Sequence, residues 1–423
     1  MRAYFASYRR QLSFLESVRS RSTRITRLWG APLGKFGQTP ASSACMQALP
    51  ARASRSKAIV KDNCMTVKGN FVRFGGNTFS RERVLRMRVA GVSGLVLAEW
   101  REGLKKFGFD PAELAALTIG GDRATQTEAA AIPLGVFVEA LETVAQSHLR
   151  PDLAWMIGHA VDDKTGGKVA KAVLGSRTLG AALRRLCEFL PLVQDATSAW
   201  LDIGDQWTTL GYRILDPSIW PRHEDAMYSL GAYSRLIKAA APEAWRHVEI
   251  TVEAERDFVK ANLSEVTRAN VLYGGAANLL SFPTSTLDCA LNLAPPLDPS
   301  CIADLSRDLG QKRRSMKLCD RAREMIFHYI SFGAINQEEL ARELGISSRT
   351  LRRKLAKENI SFKSLVDDCR MQCASLEFRA RKDLSLSEMA LKLGYSDHST
   401  FSRAFSRWSG MPPQDYRRIL SAC

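Results

Sequence analysis

"LKLGYSDHSTFSRAFSRWSG", residues 391–410, has a counterpart about fifty residues upstream in "ARELGISSRTLRRKLAKENI", residues 341–360. The two share an apolar skeleton rather than a surface. Leu340, Leu344, Gly345 and Ser347 recur 49 positions later as Met389, Leu393, Gly394 and Ser396. After one inserted residue, Leu351 and Leu355 match Phe401 and Phe405 at an offset of 50. Each copy therefore reads as a helix, a Gly that stops it, a Ser or Asp that caps the next helix, and a second amphipathic helix. That is the sequence form of a helix-turn-helix, present twice.

Once Leu351 and Leu355 are assigned to the core, the second helix of the first copy leaves Arg349, Thr350, Arg352 and Arg353 facing outward. In the second copy Phe401 and Phe405 face inward, leaving His398, Ser399, Thr400, Ser402, Arg403 and Arg407 outside. Hydrogen-bonding and cationic side chains of these kinds read base edges and grip phosphates in a major groove. A single such face is ordinary on a solvated helix; two on one spacer are harder to dismiss. The segment from Ser361 to Arg381 reads as one helix, about 30 Å long at 1.5 Å per residue. Successive major-groove faces on one side of a duplex lie about 34 Å apart.

On these residues the C-terminal region, roughly Lys312 to Arg418, resembles the DNA-binding domain of AraC/XylS-type bacterial transcription regulators. The resemblance is carried by "DLSLSEMALKLGYSDHSTFSRAFSRWSGMPPQDYRR": the Gly394-Tyr395-Ser396 turn, the Phe401 and Phe405 pair, and the closing Gly410 to Arg417 segment. It implies that Arg349, Arg352 and Arg353, with His398, Ser399, Thr400, Ser402 and Arg403, make base or groove contacts. Three arginines crowd the first reading helix, which shifts some of them toward phosphate.

Charge divides along the same lines. Residues 1–88 hold 18 Lys and Arg against 3 Asp and Glu, residues 89–311 hold 20 against 28, and residues 312–423 hold 22 against 13. A basic C-terminal region suits a polyanion, and an acidic middle argues against the whole chain coating one. No uncharged apolar run reaches the ~20 residues that cross a bilayer. The nine cysteines are scattered and never form Cys-x-x-Cys, which fits a reducing cytosol better than a disulfide framework. Cys369 and Cys373 share a face of the spacer helix, where packing is the expected role.

Residues 1–88 are basic and weakly periodic. Three readings stand: a disordered arm that adds non-specific DNA attraction, a transit-like segment, or a start assigned upstream of a true one at Met65 or Met87.

Residues 89–297 alternate helical and strand patterns. Helices are expected in "SGLVLAEWREGLKKFG", "DPAELAAL", "PLGVFVEALETVAQSHL", "RTLGAALRRLCEFLPLV" and "RHEDAMYSLGAYSRLIKAAAPEAW". Ala199, Leu201 and Ile203 alternate before Gly204-Asp205, and Leu210, Tyr212 and Ile214 after it, as in a hairpin; Val248, Ile250 and Val252 alternate as a further strand. The domain is α+β. The passages "LGAALRRLCEFLPLVQDATSAWLDIGDQWTTLGYRILDP", "PEAWRHVEITVE" and "SFPTSTLDCALNLAPPLDP" resemble the arabinose-binding-domain-like sensor of ornithine-utilisation and virulence regulators of the same family. That resemblance implies effector binding, dimerisation or both, with no effector-binding residue identified. "APPLDPS", 294–300, reads as an extended joint, followed by a short helix near Ile302 to Leu309 and the basic "QKRRSMK".

Enzyme signatures are missing from the sequence. "TGGKV" at 165–169 is not a phosphate loop, "GVSGL" at 91–95 is not a nucleophile elbow, and the six histidines lack metal spacing. His223, Glu224 and Asp225 cluster where a helix N-terminus collects acids.

The sequence therefore predicts a mainly α protein: a basic extension over 1–88, an α+β sensor and dimerisation domain over 89–297, a linker over 298–316, and an all-α domain over 317–423 of two helix-turn-helix units joined by a long helix. The expected function is a cytoplasmic, non-enzymatic, ligand-responsive activator that binds promoter DNA. Its expected partners are RNA polymerase, a small-molecule effector and a second copy of itself, with no metal, cofactor or membrane. The alternatives are an architectural DNA-binding protein and a repair regulator with a reactive cysteine.

Overall fold

The computed structural model describes residues 66–68, 71–74, 77–80, 90–112, 114, 131–148, 150–161, 167–259, 262–295, 298–330, 336–381 and 383–421. Strands β1 (Thr66–Lys68), β2 (Phe71–Phe74) and β3 (Asn77–Ser80) pair in order as an antiparallel sheet. The rest of the basic extension lies outside the described residues, as does most of the helix expected at 110–117.

In the middle region β4 (Gly91–Ser93) pairs antiparallel with β5 (Ala131–Pro133), and each runs directly into a helix: α1 (Gly94–Lys106) and α2 (Leu134–His148). Helices α3 (Leu153–His159), α4 (Gly167–Leu174) and α5 (Leu179–Val193) follow. The hairpin read from alternation is present as β6 (Thr197–Ile203) and β7 (Trp207–Ile214), with Leu201 opposite Leu210 and Ala199 opposite Tyr212. After α6 (His223–Ala240) come β8 (Glu249–Thr251), α7 (Leu263–Thr267), β9 (Asn270–Leu272) and β10 (Asn278–Pro283). The five-stranded sheet has the order β6-β7-β10-β8-β9, antiparallel except for β8 with β9.

Helix α6 lies in the middle of this domain's core, where Met227, Leu230 and Ile237 are fully buried. Its closest neighbour is α3, and glycines set that approach. A Cβ on Gly158 would lie 2.0 Å from the Tyr228 carbonyl oxygen, and one on Gly231 would lie 2.4 Å from the Trp155 carbonyl oxygen. The two backbones touch, so no rotamer change can relieve an added methyl group.

The linker expectation is revised in form. Helix α8 runs from Pro299 to Ser315, twice the length read from the sequence. Asp298 caps it by accepting the Ser300 N–H at 2.9 Å, Pro299 takes the first turn, and Lys312, Arg313 and Arg314 occupy the last turn, where cations favour the helix dipole. Leu305 and Leu309 pack it against Ala172 of α4 and Phe189 of α5.

The C-terminal region is all α: α9 (Leu318–Ile330), α10 (Gln337–Glu343), α11 (Ser348–Lys357), α12 (Phe362–Ala380), α13 (Leu386–Lys392), α14 (His398–Ser409) and α15 (Pro413–Ser421). One core serves both helix pairs. Leu340, Leu351 and Leu355 from the first pair and Met389, Phe401 and Phe405 from the second join Cys369, Cys373 and Phe378 of α12. Leu215, at the end of β7, is buried in this same core, so the sensor contributes a side chain to the C-terminal domain.

Gly231→Ala is expected to cost about 2–3 kcal/mol or more through overpacking between α3 and α6, read as a lower urea midpoint. An unchanged midpoint would mean the helices are not in backbone contact.

Candidate nucleic-acid interface and its control surface

Both helix-turn-helix units are built by the same local devices. In the first, Asn336 forms a capping box with Glu339 at the start of α10, and Gly345 takes a φ of +70° beyond its end. Ser347 then caps α11, its Oγ accepting the Thr350 N–H at 3.2 Å. In the second, Ser385 and Glu388 form the box at α13, Gly394 takes a φ of +76°, and Asp397 accepts the Thr400 N–H at 2.8 Å. Hydrogen bonds from the Thr400 backbone and hydroxyl hold the Asp397 carboxyl down at about 2.

Leu351, Leu355, Phe401 and Phe405 are each 0% exposed. Of the residues read as facing outward, Arg349, Arg352, Arg353, His398, Ser399, Arg403 and Arg407 are exposed, while Thr350, Thr400 and Ser402 are half-buried. Several of these have local work. The Thr400 hydroxyl donates to Asp397 at 2.8 Å and accepts from Arg403 Nη2 at 3.2 Å, and Arg407 pairs with Asp367 at 3.3 Å. Helix α12, with 19 residues between Ser361 and Arg381 as caps, spans about 28 Å at 1.5 Å per residue.

The surface that grips this domain was not legible in the sequence. Arg379, at the end of α12, donates to the carbonyls of Pro217 and Ser218 at 2.6 and 3.4 Å, in the segment between β7 and α6. Arg381 donates to the Gly275 carbonyl at 2.6 Å, pairs with Glu377 at 3.2 Å and approaches Glu255 at 3.8 Å. Lys392 of α13, in the second helix-turn-helix, pairs with Glu377 at 2.7 Å. On the sensor side Arg222 meets Glu253 through two bonds of 2.8 and 2.7 Å, with Arg213 3.3 Å away. Burial would raise the Glu253 carboxyl, but Arg222 and Arg213 outweigh it and hold it at about 2. Beside this group, across from Arg213 in the β6-β7 pair, His328 of α9 stacks edge-on with Trp200 and lies 3.0 Å from Ser198 Oγ, both on β6.

Helix α8 is strapped to the sensor as well, since Lys312 pairs with Asp195 at 2.7 Å and donates to the Pro191 carbonyl. Asp195 Oδ2 also accepts the Gly91 N–H at 3.1 Å. Helices α1, α4, α5, α6 and α8 line a half-open cavity of about 310 Å³, within the range of small-molecule sites. Leu305 and Asp308 of α8 form part of its wall.

In the His223-Glu224-Asp225 cluster, beside α2, Glu224 and Asp225 are buried and His223 is half-buried. Glu142 Oε1 accepts the Glu224 N–H at 2.9 Å, and Asp225 accepts the Tyr212 hydroxyl at 2.5 Å. Burial pushes Glu142 up to about 7 and Glu224 to about 8, and pushes His223 down to about 4. Cys369 and Cys373 lie in the core around α12, where burial pushes both thiols up, Cys373 to about 12; neither is a ready nucleophile. Among the described residues no group of three or more His, Cys, Asp or Glu is placed to hold a metal ion, and no helix is long and apolar enough to cross a membrane.

Two family models match the chain: the N-terminal arabinose-binding domain of AraC transcription regulators over residues 108–291, and a helix-turn-helix domain over residues 340–419. An HTH-type transcriptional regulator of Mycobacterium tuberculosis is 31% identical over 178 residues, covering 40% of this chain and 48% of its own. The ornithine utilization regulator of Pseudomonas aeruginosa is 44% identical over 80 residues, 19% of this chain and 23% of its own. The regulator VirS of Mycobacterium tuberculosis is 38% identical over 85 residues, 20% and 25% of the two chains. The chain thus spans about half or less of the length of these relatives.

Two outcomes test these assignments. Phe405→Ala and Leu351→Ala should each cost about 2–5 kcal/mol of stability by cavity formation, whereas Arg352→Ala and Arg403→Ala should leave the urea midpoint within error. For the acid cluster, Glu224 holds its proton in the folded chain to a higher pH than in the unfolded chain. Stability is therefore lost as pH rises from about 4.5 through 8. Glu224→Gln should flatten that decline and gain on the order of 2–4 kcal/mol over the parent at pH 8 relative to pH 5; parallel pH profiles would contradict the burial argument. The chain belongs to the AraC-type regulators that join an arabinose-binding-type N-terminal domain to a helix-turn-helix domain.

Proposed function

We propose that this chain is a sequence-specific, non-enzymatic transcription regulator that sets helices α11 and α14 into successive major grooves of promoter DNA. The observation that carries the reading is the placement of both second helices on the core of α12, with their arginine-bearing faces outward. Arg349, Arg352, Arg353, Ser399 and Arg403 are assigned to bases or groove edges, His398, Thr350, Thr400 and Ser402 to the flanks, and Arg407 to phosphate. The local bond from Arg403 to Thr400 pre-orders its guanidinium for a bidentate guanine contact.

The sensor supplies control. Effector binding in the cavity changes how firmly α8 and the ends of α12 and α13 are held, and so the population of a DNA-engaging state. Activation through RNA polymerase, action in the cytoplasm and pairing with a second copy complete the reading by family habit. The architectural alternative leaves the cavity and the strapped helix α8 without a role.

Arg403→Ala separates specific from non-specific binding. On sites selected from a random DNA library with the full chain, the variant should lose about 1–3 kcal/mol and relax preference at one base position. A loss spread evenly over all sequences, with the salt slope reduced by about one, would make Arg403 a phosphate clamp instead.

A further inference from the structure

The cavity wall is specific about what it will accept. Val96, Val173, Leu186, Leu190, Leu236 and Leu305 make most of it apolar. The polar side chains that reach it are largely committed to protein partners. Ser93 Oγ accepts the Leu95 N–H, the Gln194 amide donates to Thr197 and Tyr212, and the Tyr228 hydroxyl donates to Glu99. A sugar would exchange several water hydrogen bonds for few replacements, each unmade bond being costly. Charge is balanced: Lys168 and Arg235 stand against Glu99 and Asp308, so neither an anion nor a cation finds a net counter-charge. Arg235 is half-buried and makes no hydrogen bond or ion pair among the described residues, leaving one donor group for a ligand oxygen.

We propose that this cavity binds an uncharged, mainly apolar molecule carrying one hydrogen-bonding oxygen, an alcohol or ketone on a hydrocarbon body, and that helix α8 registers its presence through Leu305 and Asp308. The sensing role rests on the regulator reading above; the binding does not. Helix α8 is where occupancy meets the rest of the chain. Leu305 faces the cavity, Leu309 packs with Ala172 and Phe189 one turn on, Lys312 holds Asp195 and Pro191 another turn on, and α9 begins at Leu318. The matched family model is named for arabinose, and the apolar wall argues that this cavity takes a different class of molecule.

The test is a matched series on a ten-carbon chain with the full-length protein. Decan-1-ol, decanoate, decylamine and L-arabinose are compared by thermal unfolding and by hydrogen exchange, without DNA. Decan-1-ol is expected to raise the melting temperature by about 2–4 °C and to slow amide exchange in residues 303–309, with the other three inert. Ala232→Trp and Ala170→Trp fill the cavity from α6 and from α4. Each should abolish the decan-1-ol shift, and two variants guard against one that does not fold. A larger shift with decanoate, decylamine or arabinose, no shift with decan-1-ol, or a shift that survives in a folded filled variant would overturn the assignment. If decan-1-ol binds as expected but the chain selects no DNA site, the cavity stands and the regulator reading falls.

Discussion

Burial of helix α12 is the constraint on which the C-terminal architecture depends. Cys369, Cys373, Ala374 and Phe378 are almost wholly withdrawn from solvent because helix pairs pack against the helix from both copies. A helix so enclosed cannot bend or slide without opening one pair or the other. The spacing and relative orientation of α11 and α14 are thereby set by packing rather than by a tether. In the proposed function, that rigid spacing divides recognition between the two short helices.

The same helix is also the handle by which the sensor holds the domain. Arg379 and Arg381 end α12 on sensor carbonyls, and Leu215 reaches back into the C-terminal core. Arginine suits the role because its planar fork serves several acceptors at once and remains charged at any physiological pH. Polar contacts of this kind hold geometry firmly yet exchange with water at modest net cost. A purely apolar interface would lock the two parts together; this one is suited to being biased. Helix α8 adds a second strap through Lys312 and Asp195, and it forms part of the cavity wall.

How much of this was legible depended on how local the signal was. Caps, turn glycines and the Leu or Phe pairs at four-residue spacing are properties of short segments, so both helix-turn-helix units and the spacer could be read directly. The β6-β7 hairpin was visible because its core face alternates cleanly. Strand β10 was not, because its inward series begins with Asn278, whose side chain accepts the Glu253 N–H; a buried polar residue defeats an apolar pattern. Helix α3 was missed since "LAWMIGH" is apolar nearly all round, and its glycine has a purpose only beside α6. Arg379 and Arg381 resembled any basic residues of a DNA-binding domain. Nothing in one sequence distinguishes an arginine aimed at a phosphate from one aimed at a carbonyl 162 residues away.

The central claim is that α12 fixes two reading helices for successive grooves on one face of a duplex. The most direct measurement is a DNase footprint of the full chain on a DNA site it selects. The account expects two protected patches on one face, their centres about 10–10.5 base pairs apart, both lost when Arg352 and Arg403 are replaced together by Ala. Uniform, salt-sensitive protection with no boundary would contradict it, as would a single patch left intact by Arg352→Ala.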